Sequence, residues 1–289
     1  MSFSMPMVGL GTWLISNDEV SRVVTDALNL GYKHIDTAQV YQNESGIGEA
    51  ISKLPIERNK FFITTKMWPG MIGDETFQDF KGAINACDQS LQMLQSDYID
   101  LYLIHNPFGK DRRLEQWEAL VELQKQGKVK DIGVSNYNVK HIKEIEHANL
   151  PMPVANQIEI HPYHMIPDPL QAYMMKHNIL PIAYSTLAPL PNWRKGSRWN
   201  SKPEAMKNDP SIPFLEIAKT YNVSVAQLLL QWSLQNGWPI LPKTTSKERL
   251  KENLDLDFTI SSEDMNDIST SNKDQSLAWQ EKFDPLDVE

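Results

Sequence analysis

The segment Gly31-Tyr-Lys-His-Ile-Asp36-Thr-Ala-Gln-Val-Tyr41-Gln-Asn-Glu44 carries a short apolar run that delivers a carboxylate and, five residues later, a phenol. Lys33-His-Ile-Asp36 reads as a strand and Thr37 to Gln42 as the loop beyond it, so Asp36 and Tyr41 fall at one rim. Two later runs rich in β-branched and aromatic residues also end in titratable groups: Phe61-Phe-Ile-Thr-Thr-Lys66 and Tyr98-Ile-Asp-Leu-Tyr-Leu-Ile-His105. In a parallel α/β barrel all three strand ends open on the same face. A lysine beside a tyrosine is expected to favour the phenolate and lower its pKa. A neutral histidine can donate to a substrate oxygen, and Asp36 is expected to pair with Lys66.

Working outward, strand-like and helix-like segments alternate. Met5 to Trp13 reads as the first strand and its exit. Ser16-Asn-Asp-Glu19 has capping-box spacing and opens a helix that stops at Gly31. A second helix is predicted over Glu44 to Leu54 and a third over Thr76 to Gln95. Leu114 to Gln126 reads as a helix, Val129 to Ser135 as strand five, and Val139, Ile142 and Ile145 as the stripe of another helix. Val154 to Gln157, Leu180 to Tyr184 and Pro239 to Pro242 complete eight strands. The prediction is one (β/α)8 barrel domain over residues 1–289. A long loop from Thr186 to Pro213 and a polar tail over 262–289, with Trp279 and Phe283 near its end, are candidate lids.

Composition narrows the function. The chain has 289 residues, 41% of them hydrophobic, which suits a barrel of ~250 residues. The net charge of -9 argues against a general nucleic-acid or membrane-surface binder. No run approaches ~18 apolar residues. The single cysteine, Cys87, sits on the apolar stripe Phe80, Ile84, Leu91, Leu94 and reads as core. With no leader visible, a cytoplasmic protein is expected. Gly46-Ile-Gly48 lacks the third glycine of a dinucleotide fingerprint and follows no strand directly. His161-Pro-Tyr-His164 has no partners at metal-ligand spacing, so no metal site is expected.

Each later strand also leaves a polar signature: Ser135-Asn136, Asn156-Gln157, Tyr184-Ser185 and Lys243-Thr244-Thr245. Ser, Asn and Gln together suit a carboxamide, and a Tyr face suits a planar ring. Each alone is more often a cap or a satisfied loop residue. Lys243 to Asn253 sets cations and hydroxyls where a phosphate could bind or where a solvated helix begins.

On G-Y-K-H-I-D-T-A-x-x-Y-x-N-E, the strand ending at Lys66 and I-D-L-Y-L-I-H-x-P, the chain resembles the aldo-keto reductases over nearly its whole length. The resemblance implies a tetrad of Asp36, Tyr41, Lys66 and His105 that reduces aldehydes or ketones with NADPH, Tyr41 giving the proton. It implies that Ser135, Asn136 and Gln157 hold the nicotinamide carboxamide and that Tyr184 stacks on the ring. Lys243, Thr244 and Arg249, with Glu252 and Asn253, match the motif that holds the 2′-phosphate, implying NADPH over NADH. Gly11, Thr12, Trp13, Asp36, Ser185, Leu187 and Thr245 complete the implied cofactor contacts. The implied substrate walls are Trp13, Tyr41, Trp68, His105 and Asn106, with Trp193 and Trp199 from the long loop. The family's H-W-P is His105-Asn106-Pro107 here, its A-Y-S-P-L-G is Ala183 to Ala188 with Thr186 and Ala188 departing, and its N-terminal hairpin is expected to be missing or reduced. The expected partner is a small carbonyl compound, with the protein a monomer or weak homo-oligomer. A dinucleotide-binding barrel without turnover, serving as a regulatory or structural subunit, is the competing reading.

Overall fold

The computed structural model describes residues 3–70, 77–209, 211–279 and 284–289. Phe283 and Thr76 lie outside the described residues. Seven strands follow one another in a single parallel sheet: β1 Leu10–Gly11, β2 His34–Asp36, β3 Phe62–Met67, β4 Ile99–Ile104, β5 Val129–Ser135, β6 Ala155–Glu159 and β7 Leu180–Tyr184. Helices occupy the connections: α1 Asn17–Leu30, α2 Glu44–Lys53, α3 Phe80–Met93, α4 Arg113–Lys125, α5 Val139–His147 and α6 Asp168–Lys176. After β7 come α7 Glu204–Lys207, α8 Leu215–Thr220, α9 Val225–Gln235, α10 Lys247–Glu252 and α11 Ser262–Ser269.

The expected eighth strand is a single residue. Ile240 bridges in parallel to both Val8 and Ala183 and so joins the two ends of the sheet. Pro239 and Pro242 flank it, and without amide hydrogens they cannot extend the ladder. Four backbone bonds make the seam: Ala183 N to Pro239 O at 2.8 Å, Ile240 N to Met7 O at 2.8 Å, Gly9 N to Ile240 O at 2.9 Å and Gly11 N to Pro242 O at 3.1 Å. A Cβ on Gly11 would stand 2.6 Å from the carbonyl oxygen of Leu241, so the seam closes only around glycine. The first strand is correspondingly short, two residues rather than the run from Met5.

Two apolar regions result. Residues facing the helices form the larger core, with Trp117 and Trp232 fully buried in it. Inside the barrel, Leu101, Leu103, Ala155, Ile182 and Leu241 pack on Met5, and Phe3 and Phe62 join them with ring centres 6.5 Å apart. Met5 and Phe3 thus fill the end of the barrel where a hairpin was expected to be missing.

Several local expectations need correction. Ser16 caps α1 by position, but its side chain accepts no bond from the helix, and Glu19 is engaged with Arg22 instead. The third helix begins at Phe80, where Asp79 accepts from Gly82 N. The long loop is not wholly irregular, since α7 lies within it, and the tail begins with a helix, α11, capped by Ser261. Gly46 and Gly48 allow close helix packing: a Cβ on Gly48 would meet the Met93 carbonyl at 2.2 Å.

Candidate active site

The ends of β2, β3 and β4 converge as the alternation requires. Lys66 Nζ donates to Asp36 Oδ1 at 2.6 Å and to the Thr37 carbonyl at 2.7 Å, both partners buried. Gln157 Nε2, from β6, donates to Asp36 Oδ2 at 2.7 Å. Burial pushes the Asp36 carboxyl up and the Lys66 ammonium down, and their contact opposes both shifts. Tyr41 ends a short 3-10 turn, its ring centre 5.2 Å from Lys66 Nζ and 5.6 Å from the His105 ring, which it meets edge-on. Trp68 meets His105 from another side at 5.3 Å.

Asn43 fixes the loop that presents Tyr41. Its Nδ2 donates to the carbonyls of Thr12 and Ile15 at 2.9 and 3.0 Å, while Thr37 Oγ1 donates to its Oδ1 at 2.7 Å. Glu44, buried at the start of α2, accepts from Thr65 Oγ1 at 2.6 Å and places a second carboxylate near Lys66. Neither residue had a role in the sequence reading, although both lie in its opening segment.

The electrostatics correct one expectation. Lys66 does not pull the Tyr41 phenol down. Burial, then the Asp36 charge, hold it above the ordinary tyrosine value, and Arg194 opposes them. The lysine is paired with Asp36, whose own field disfavours a phenolate. His105 behaves as expected: burial, then Lys66, hold its pKa well below 6.5, so the ring is neutral. Its Nδ1 has no partner among the described residues.

The residues assigned to the carboxamide come together but are already engaged. Ser135 Oγ donates to the Gln157 carbonyl at 2.8 Å, and Asn136 Nδ2 to the His105 carbonyl and Ser135 Oγ, both at 3.0 Å. Tyr184 O–H donates to Asn136 Oδ1 at 2.7 Å. The Gln157 side-chain oxygen accepts nothing among the described residues and can receive a carboxamide N–H. At the other end, Lys243 and Arg249 are exposed and make no ion pair among the described residues, and Thr244, next to Lys243, is buried. That donor set, two free cations and a hydroxyl, fits a phosphate. Glu252 is committed elsewhere, accepting from Ser224 Oγ at 2.5 Å, and Thr245 gives its carbonyl to Arg22.

Two covers lie over this face. From the long loop, Trp199 packs on Trp13 at 6.2 Å, and Trp13 lies 6.3 Å from Tyr41. Trp193 does not reach Tyr41; it stacks under Arg194, whose Cζ is 3.9 Å from its ring and 4.0 Å from that of Trp13. From the tail, Trp279 Nε1 donates to the Tyr184 hydroxyl at 2.7 Å, and its ring meets Phe108 edge-on at 6.1 Å. The clamp for the tail is Glu159, which the sequence reading passed over. It accepts from Leu277 N and Ser276 Oγ at 2.7 Å and from Ala278 N at 2.9 Å, and it faces His161 Nε2 at 2.8 Å. Burial would raise its carboxyl, but the His161 bond first, then the neighbouring imidazoles and the Leu277 amide, hold it down at about 2. His161, whose own pKa burial lowers, is thereby accounted for as a hydrogen-bond partner of Glu159. Asn106 is fully buried; its Oδ1 accepts from Phe108 N at 3.0 Å, and its Nδ2 has no partner among the described residues. A hollow of about 570 Å³ lined by Ser211, Ile212 and Phe214 to Ile217 is open to solvent but contains none of these groups.

With the tetrad at three consecutive strand ends, comparison with known proteins is decisive: the Aldo/keto reductase family model matches residues 7–273. The chain belongs to that family. Similar proteins include a glyoxal reductase of Bacillus subtilis (strain 168), 38% identical over 94% of this chain and 91% of the relative. A methylglyoxal reductase DkgA of Escherichia coli (strain K12) is 34% identical over 94% and 92%. Among solved structures, an aldo-keto reductase from a Medee basin deep-sea metagenome library covers 98% of this chain and 96% of its own, with a TM-score of 0.83 and 34% identity. A Bombyx mori aldo-keto reductase in complex with NADP has a TM-score of 0.81 at 33% identity, covering 95% and 92%. The protein is an NADP(H)-dependent oxidoreductase of aldehyde or ketone carbonyls. Nothing favours the reading as a subunit without turnover.

Proposed function

We propose that Tyr41 is the general acid of this carbonyl reduction and that His105 orients the substrate oxygen. The observation that carries this is the meeting of the Tyr41 and His105 rings at 5.6 Å beside the Lys66–Asp36 pair. When bound, NADPH supplies the hydride. The chain's own part is the proton. A phenol held above its ordinary pKa keeps its proton throughout working pH, so the donor form is present when the alkoxide forms. Neutral His105 can donate a hydrogen bond to the same oxygen without offering a competing acid. Asp36, Lys66 and Gln157 form a fixed base beneath them.

For the substrate we infer a small, polar carbonyl compound. Two relatives are named for glyoxal and methylglyoxal reduction, and Asn106 stands where the family commonly has a tryptophan. For the cofactor, Arg249 and Lys243 are the proposed readers of the 2′-phosphate. We further propose that the chain works as one domain, in the cytoplasm, as a monomer or weak homo-oligomer. The test is oxidation of NADPH with methylglyoxal by the wild type and by Arg249→Ala. A charge-assisted bond is worth about 1.5–3 kcal/mol, so Arg249→Ala should weaken NADPH binding roughly tenfold or more while NADH binding barely changes. Equal losses for both would place Arg249 against a shared part of the two cofactors.

A further inference from the structure

Arg194 is a half-buried cation in the cover over the tetrad, and no carboxylate meets it among the described residues. Its guanidinium lies between the faces of Trp13 and Trp193 at 4.0 and 3.9 Å. Its hydrogen bonds go to uncharged acceptors: the Trp199 carbonyl at 3.1 Å, Ser185 Oγ at 3.3 Å and the Ala278 carbonyl at 3.5 Å. It makes no ion pair among the described residues. The carboxylate whose field it feels, Glu159, is already saturated by the tail and His161. Near the same Trp193 ring a second cation, Lys202, is buried with the Leu190 carbonyl as its one acceptor among the described residues. A guanidinium has five N–H donors and retains its charge when buried, so two long bonds and one ordinary one leave it undersupplied. Burying a cation without a counter-charge is costly, and structures that do so usually complete the site with an anion.

The place of Arg194 says which part of the reaction that anion belongs to. A single indole, Trp13, separates it from Tyr41, and the same indole is covered by Trp199. Its charge also reaches the Tyr41 hydroxyl. Resting on the proposed function above, we propose that Arg194 is a specificity residue that receives an anionic group of the substrate, a carboxylate or phosphate carried a few bonds away from the reacting carbonyl. The stacking on two tryptophans fixes the plane of the guanidinium, which suits paired hydrogen bonds to such a group. The same chemistry is offered by the pyrophosphate of the dinucleotide, since Ser185 and Lys243 lie on that side, and the experiment separates the two.

The full-length wild type, Arg194→Met and Arg194→Lys are compared on benzaldehyde and para-carboxybenzaldehyde, which differ only by the carboxylate. NADPH affinity is followed by quenching of protein fluorescence. The wild type should show a lower KM for the carboxylated aldehyde, and that preference alone should fade as salt is raised. Arg194→Met should raise the KM for that substrate about tenfold or more, with benzaldehyde and NADPH affinity little changed. Arg194→Lys should restore part of the preference. The proposal is overturned if the wild type does not distinguish the two aldehydes. It is equally overturned if Arg194→Met weakens NADPH and shifts both aldehydes by one factor, because the charge then serves the cofactor. Should Arg194→Met not fold, the wild-type preference and its salt dependence decide. Loss of all turnover on both aldehydes in the wild type would instead count against the tetrad assignment.

Discussion

The tetrad and the covers above it are held by different means. Asp36 and Lys66 sit in the sheet, where residue faces residue in register, Asp36 against Thr64 and Lys66 against Leu103. The tail and the long loop have no ladder. The tail is held by separate side-chain bonds, to Glu159, Tyr184, Asn138 and His141, and the loop by Arg194 between indoles and by Trp199 on Trp13. Positions fixed by a sheet vary together with the barrel, whereas a cover fixed by separate side chains can be released without it. On the roles proposed above, chemistry falls to the first set and selection of substrate to the second.

The sharpest way to break this division is at Tyr41. Positioned proton transfer contributes ~10²–10⁴-fold, so Tyr41→Phe should lower kcat by that range while NADPH affinity and Tm stay near wild type. Near-normal turnover would remove Tyr41 from the chemistry. Next in size is Lys66→Met, which leaves Asp36 buried and unpaired. Breaking such a pair costs about 3–5 kcal/mol, read as a large fall in Tm, and an unchanged Tm would mean that the pair is not part of the framework. Glu159→Gln should act on the cover alone. The tail loses a charged acceptor, so limited proteolysis near Leu277 should quicken and KM rise several-fold, with kcat much less affected. A kcat that falls as steeply as in Tyr41→Phe would join the cover to the chemistry.

The smallest effect concerns pH and the last turn of the chain. His141 Nδ1 accepts from Asn138 N at 3.1 Å and its Nε2 faces the Val288 carbonyl at 2.8 Å, an arrangement that needs a neutral ring. Burial first, then the Arg113 charge, lowers its pKa from 6.5 to about 4. The unfolded chain takes the proton first, so this contribution to stability is complete above 6.5 and is lost as pH falls through about 4. Following Tm across that window should show a shallower fall in His141→Gln than in the wild type. Parallel curves would show that His141 does not contribute to it.

The same division explains what could be read in the sequence. Strand ends were legible because alternation and β-branched runs are local, and Asp36, Lys66 and His105 stand where those runs stop. Glu159 was not, because its tail partners Ser276, Leu277 and Ala278 lie more than a hundred residues away and it stands beyond Gln157, where strand six was expected to end. Helix α9 was not read either, although Ser224 and Gln227 form a complete capping box and announce it. Helix α6 offered less, opening at Pro167 with no side-chain cap. The raised Tyr41 pKa was beyond reach for another reason: it depends on how deeply the phenol is buried and how near Asp36 it stands, and only geometry fixes that.

The one-residue closure at Ile240 has a consequence for how the protein fails. A sheet wound round on itself presents no free edge, yet here the join is four backbone bonds between two prolines. Parting it would bare one side of β1 and one side of β7 at once, each a row of unsatisfied donors and acceptors able to recruit another chain. The amides of Ala183 and Ile240 are therefore expected to exchange with deuterium earlier than those of Leu101 or Leu103 in β4. Heat-induced clumping should start from this opened ribbon, well before the helices melt.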